Sequence, residues 1–250
     1  RKELTKLGTN AMIDVMQQVA GLPTRNFRDM QFEGVGNINP RAQFERAQDG
    51  HRNHVTNHAS FGCTIGCGRM ARINENHFSI RNRPEYRVAS GGLEYETAFA
   101  FGPVVGVDDI DALTFAGFMM NEHGMDPISF GVTLAAAMEL YELGVITDAD
   151  TDGVGLNFGS AEALVVMSEK TGLQQGFSKM LGLGFRRMCE HYGRPELSMS
   201  VKGQEFAGYD SRALQGMGLG YATSNRGACH LRPDLEDPSA NGNAEPCKRS

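Results

Sequence analysis

The chain has 250 residues, 40% hydrophobic and 22% charged, enough to bury a sizeable core in one large domain or two ordinary ones. Its net charge of −6, with 24 scattered Lys and Arg and no basic block, argues against a nucleic-acid partner, and no run of eighteen apolar residues is present to span a membrane. Five cysteines (Cys63, Cys67, Cys189, Cys229 and Cys247) without a secretory signal fit a reducing cytoplasm, where a close pair is more often a metal or redox site than a crosslink.

The chain opens on Arg1 rather than Met, as expected of a fragment. Met12, Val15, Met16 and Val19 recur at helical spacing, so the first predicted helix runs to Gly21, before Pro23. Residues 25–58 read as polar and irregular, and the Arg- and Asn-rich region 69–90 carries no assignable pattern. In VDDIDALTFAGFMMNEHG, Asp108 or Asp109 can cap a helix that Gly124 ends. Pro127 begins the next, with Leu134, Met138 and Tyr141 on one face and Gly144 as the stop. Further helices are expected over 160–171, capped by Ser160, and over 176–192. Only 197–203, LSMSVKG, alternates like a strand. The expected fold is mainly α, multihelical with little strand, divided at 1–145 and 146–233 and followed by a disordered tail at 234–250.

Four segments invite chemistry. HASFGCTIGCGR places Cys63 and Cys67 four apart in a glycine-flanked loop, half of a metal site at most. DADTDGVGLNFG resembles a calcium loop at Asp148, Asp150, Asp152 and Gly153, but Gly159 stands where a bidentate Glu should close the shell, so an interhelical turn is the better reading. In GGLEYETAF, Glu94 and Glu96 flank Tyr95 in an apolar setting where a carboxyl can acquire a raised pKa and work as a general acid or base. YDSRALQGMGLGYATSNRGACHLRP combines four glycines with Arg226 and His230, a density suited to close approach of a bulky anionic ligand. His123 and His191, near helix ends, read as structural.

Taken in order, GTNAMIDVMQQVAGLPTRNF, FGCTIGCGR, LEYETAFAFGP, NEHGMDPISFGVTLAAAMELYELGVIT, DTDGVGLNFGSAEAL, VKGQEF and YDSRALQGMGLGYATSNRGACHLR closely resemble the tungsten-containing aldehyde ferredoxin oxidoreductase family. The resemblance covers residues 5 to 233 and corresponds to the helical second domain and the start of the third. It implies a tungsten ion, with molybdenum as the alternative metal, held by two pterin cofactors bridged by magnesium, and a [4Fe–4S] cluster nearby. It also implies oxidation of an aldehyde to a carboxylic acid, with electrons passed through the cluster to ferredoxin or a similar carrier. A homo-oligomer or a complex with other subunits is expected, and the fragment alone should be inactive.

By the same resemblance, the cluster motif C-x-x-C-x-x-x-C falls on Ser60, Cys63 and Cys67, a serine replacing the first thiolate. The family's fourth cysteine lies much further past CHLR than Cys247 does. A lost cluster, a serine-ligated cluster and a three-iron cluster all remain open. The family's active-site Glu and His resemble Glu94 and His230. Its pterin motif D-x-x-G-L-D resembles Asn121 to Asp126, with Asp126 matching, Met125 in the place of the Leu and Asn121 replacing the first Asp, all three as expected contacts. Arg226, Gly227 and Cys229 would line the second pterin. Two alternatives stand beside this reading: another tungstopterin reduction, such as that of an aromatic thioester, and a degenerate, non-catalytic scaffold subunit.

Overall fold

Two helices are apolar on nearly every side, and the rest of the molecule is arranged to cover them. The computed structural model describes residues 2–45 and 50–231. The chain begins with α1 (Lys2–Leu7) and α2 (Ala11–Gln18), which buries Ile13 and Met16. The predicted first helix is therefore real but shorter, ending at Gln18, and Gly8 at φ 70° separates it from α1. In the stretch read as irregular, Pro40 starts α3 (Pro40–Phe44), with the Asn39 side chain accepting from Ala42 N.

Three short strands follow where no pattern was legible: β1 (His54–His58), β2 (Gly68–Arg72) and β3 (Val88–Ser90). They form one antiparallel sheet in the order β1-β2-β3, with His58 opposite Gly68 and Met70 opposite Ser90. The cysteine loop is the connection between β1 and β2.

The helices then match their sequence signals closely. After α4 (Tyr95–Phe101), α5 (Ile110–His123) starts where Asp109 accepts from the N–H groups of Asp111 and Ala112, and it ends at Gly124 in the left-handed region. Asp126 caps α6 (Pro127–Glu142) through Ser129 N, and Ser160 caps α7 (Ala161–Gly172) through Ala163 N. Phe130, Val132, Leu134 and Met138 are all buried, so α6 has no wet face until its last turn. It packs against α4 with almost no gap: a Cβ on Gly131 would lie 2.2 Å from the Ala100 carbonyl oxygen, so no other residue fits there.

The helix expected over 176–192 is two, α8 (Ser178–Leu181) and α9 (Phe185–His191), because Gly184 turns the chain at φ 81°. The expected strand at 197–203 is one arm of a small hairpin, β4 (Ser200–Val201) and β5 (Gln204–Glu205), and α10 (Gln215–Thr223) follows. Core residues from Ile13 to Ala228 form one continuous apolar cluster. Among the described residues no helix is long and apolar enough to cross a membrane. The tail at 234–250, including Cys247, lies outside the described residues.

Candidate active site

The sheet and the N-terminus of α4 enclose a cavity of about 610 Å³, walled by His58, Arg69, Gly91, Gly92, Glu94 and Asn121. Its wall is bare backbone at Gly91 and Gly92, where added Cβ atoms would fall 2.4 Å from the Asn121 amide and 2.7 Å from Arg69 Cβ. The Asn121 amide donates to Ser90 O at 3.2 Å. His58, at the end of β1, shares a hydrogen bond with the Ser90 hydroxyl at 2.9 Å. Glu94 precedes the first turn of α4 and faces this cavity. Burial pushes its carboxyl above the usual range, against the opposing pull of Arg69, His58 and a hydrogen bond with Thr9.

Glu96 points elsewhere, and it is the carboxylate that meets His230. Its Oε1 lies 3.9 Å from His230 Nε2, while its Oε2 accepts the Gly208 N–H at 3.0 Å. The imidazole stacks on Tyr209, with centroids 5.9 Å apart and planes 26° apart, and Tyr209 in turn rests 5.1 Å from Tyr95. The Tyr95 hydroxyl donates to Gly208 O. One helical turn thus clamps the 206–210 segment and positions the surface on which His230 lies. Burial lowers the pKa of His230, opposed by the Asp126 carboxylate at the head of α6 and assisted by the Arg226 cation.

The remaining predicted contacts are not among the residues that line that cavity. Met125 is half-buried against the core, next to the exposed Asp126. Arg226 is exposed, whereas Gly227 and Cys229 are buried, Gly227 so close beneath the hairpin that a Cβ would lie 2.5 Å from Val201 O. Cys229 is a packing residue in this setting.

On the cysteine loop, Ser60 and Cys63 are exposed and Cys67 is half-buried. The backbone N–H groups of Gly66 and Ile65 donate to the Cys63 sulfur and hold its thiol below the ordinary cysteine range, favouring the thiolate that soft metals require. Two thiols and a hydroxyl on one loop are donor types that an iron–sulfur cluster takes, the hydroxyl being the rarer. Among the described residues no group of three or more His, Cys, Asp or Glu is arranged around a metal position. The cavity fits a flat, polar heterocycle: it offers bare peptide groups, the Asn121 amide and Arg69, whose Nε is buried without a hydrogen-bond partner among the described residues.

Other sequence candidates are spent on structure. In the calcium-like loop, Asp148 accepts from the Tyr141 hydroxyl, Asp150 from Thr147 N, and Asp152 from Phe177 N, so the carboxylates knit the turn between α6 and α7. His123 packs on Gly172, and the His191 ring meets Tyr192 edge-on at 4.9 Å. Cys189 is fully buried, its thiol pushed up to about 12 by that burial. Sequence reasoning did not single out Arg69, although its place two residues after Cys67 in a glycine-rich turn was visible.

The family model for "Aldehyde ferredoxin oxidoreductase, domains 2 & 3" matches residues 1–249. The tungsten-containing aldehyde ferredoxin oxidoreductase of Thermococcus kodakarensis is 36% identical over 240 residues, covering 96% of this chain and 37% of the relative. Its Pyrococcus furiosus counterpart is 36% identical over 241 residues, with the same shares covered. An aliphatic sulfonate oxidoreductase, WOR-like subunit, also of Pyrococcus furiosus, is 26% identical over 129 residues, 52% of this chain and 19% of that protein. The chain therefore spans little more than a third of the length of the tungsten-containing relatives it matches. With motifs, helical fold and matched length in agreement, the chain belongs to the tungsten-containing aldehyde ferredoxin oxidoreductase family, in the part that comprises domains 2 and 3.

Proposed function

We propose that the complete protein of which this chain is part is a cytoplasmic enzyme that oxidises an aldehyde, with water, to a carboxylic acid, two protons and two electrons. The electrons leave one at a time to ferredoxin or a similar carrier. The observation that carries this reading is the His230–Glu96 pair at 3.9 Å, held on Tyr209 in a wall shared with Asp126. A tungsten bis-pterin with its bridging magnesium would supply the two-electron chemistry when bound, and Asn121, Met125, Asp126, Arg226, Gly227 and Cys229 would border it.

This chain's own residues manage binding and protons. His230, kept neutral by burial, donates a hydrogen bond from one ring nitrogen toward the aldehyde oxygen and exchanges a proton through Nε2 with Glu96. Glu94, whose pKa burial raises, takes up a proton at the cavity wall more readily than an exposed carboxyl would. Cys63, Cys67 and Ser60 would hold the [4Fe–4S] cluster, its remaining ligand coming from outside the described residues.

A second reading keeps the scaffold but changes the chemistry, either to another low-potential substrate or to a non-catalytic subunit. Ser60 and Asn121, which stand where the family motifs carry Cys and Asp, favour it.

Elemental analysis of the full-length protein, purified without oxygen, tests both. About one tungsten and four irons per chain, as the cofactor set requires, supports the aldehyde oxidoreductase with a completed cluster. Tungsten without iron requires a different electron exit, and neither metal would sink the catalytic reading.

A further inference from the structure

Among the described residues Arg69 is the largest fully buried side chain, 2% exposed. Its position follows from the sheet: β2 carries it directly out of the cysteine loop, and its backbone carbonyl accepts the N–H groups of Gly91 and Gly92 at 3.1 and 3.0 Å. The guanidinium then spans the gap between loop and cavity. Nη1 donates to Gly68 O at 3.1 Å and Gly66 O at 3.5 Å, on either side of Cys67, and Nη2 donates to Thr5 O at 3.3 Å at the end of α1. Gly8 is bare where the fork passes, since a Cβ there would lie 2.8 Å from Nη2.

These partners are all neutral carbonyls. A buried cation needs a counter-charge, and the acidic groups near enough to supply one when ionised are Cys67 on the loop side and Glu94 on the cavity side. A cluster held by the loop would itself be anionic and would gain a further negative charge on accepting an electron. A desolvated cation beside it stabilises the reduced form, since cluster potentials follow net charge, hydrogen bonding and solvent exposure.

We propose that Arg69 is the fixed counter-charge of the cysteine loop: it ties the loop to the floor of the active-site cavity and raises the reduction potential of the iron–sulfur cluster the loop carries. The residue positions and tunes the electron exit without touching substrate. This rests on the reading that the loop holds a cluster. The step it governs is a one-electron reduction of the cluster by electrons from the aldehyde, followed by re-oxidation by the carrier.

The test is a redox titration of the anaerobically purified full-length protein, followed by electron paramagnetic resonance, with iron counted in each sample. Arg69→Gln should shift the one-electron equilibrium about tenfold toward the oxidised cluster, a fall of about 59 mV. Arg69→Lys, which keeps the charge but not the fork, should stay near the wild-type potential while losing part of its iron. An iron-loaded Arg69→Gln protein at the wild-type potential overturns the proposal. Should that variant lose its iron, Glu94→Gln probes the same field with the arginine in place: removing the cavity-side anion should move the potential upward, and an unmoved potential overturns the idea. Wild-type protein without iron overturns the cluster reading itself, whereas iron with unmoved potentials removes only the role of Arg69.

Discussion

A proton shuttle needs a partner within a small side-chain rotation and a ring held at one angle. His230 has both, Glu96 at 3.9 Å and the Tyr209 face behind it. In the complete protein, His230→Ala should abolish aldehyde oxidation with metal content near normal, and Glu96→Gln should lower kcat by about 10² or more. Steady-state rates and metal analysis on the same samples check this, and a larger loss in Glu94→Gln than in Glu96→Gln would move the shuttle to Glu94. The motif LEYET points to this pair of carboxylates but cannot rank them. Glu94 is the extended residue just ahead of α4 and Glu96 lies in its first turn, and one carboxylate faces the cavity and the other His230. Which is which depends on how α4 docks against the 206–210 segment, and no local spacing carries that information. Arg69 was illegible for a similar reason: an arginine in a turn reads as exposed until the sheet buries it.

At the scale of elements, the caps were the most readable feature. Asp109, one of the two candidates, and Ser160 each accept the N–H groups that their positions ahead of apolar runs imply, and Asp126, not read as a cap, does the same for α6. Asp109 does more, because its other oxygen lies 3.1 Å from His77 Nε2. Burial works against its charge, but the His77 hydrogen bond and the N–H groups of Ala112 and Asp111 hold its carboxyl below the usual range. A carboxyl depressed on folding contributes stability that is present above the unfolded pKa of about 3.9 and lost as pH falls through the folded value. Asp109→Asn keeps a capping side chain but removes the charge. It should lower stability at pH 7 by about 0.5 kcal/mol, a figure kept small because the carboxylate is 36% exposed, and the deficit should vanish near pH 2. Urea denaturation of both proteins at the two pH values measures this, and an equal deficit at both would assign the effect to packing. The strands were unreadable because HVTNH, GRMAR and VAS are short, mixed in polarity and shielded on one side by chain distant in sequence. Pattern needs length, and a three-residue strand has none.

At the scale of the molecule, the two ends of the proposed chemistry rest on ground of different firmness. Asp126, itself exposed, heads α6, which is enclosed on nearly every side, and the exposed Asn121 lies in the last turn of α5, a helix almost as deeply set. The cysteine turn between β1 and β2 is wet, with Phe61 fully exposed at its tip. Local opening free energies follow such differences, from near zero in exposed loops to the global value in the core. Hydrogen exchange read by mass spectrometry should therefore find the slowest amides in α5 and α6 and the fastest in residues 59–67, and uniform protection across the two would contradict this. Under the proposed function, a turn that can open by itself could surrender or regain its metal while the wall beside His230 stays folded. Repair of the proposed electron exit after oxidative damage would then be a local event, and the long-lived part of the protein need not be rebuilt when the short-lived part fails.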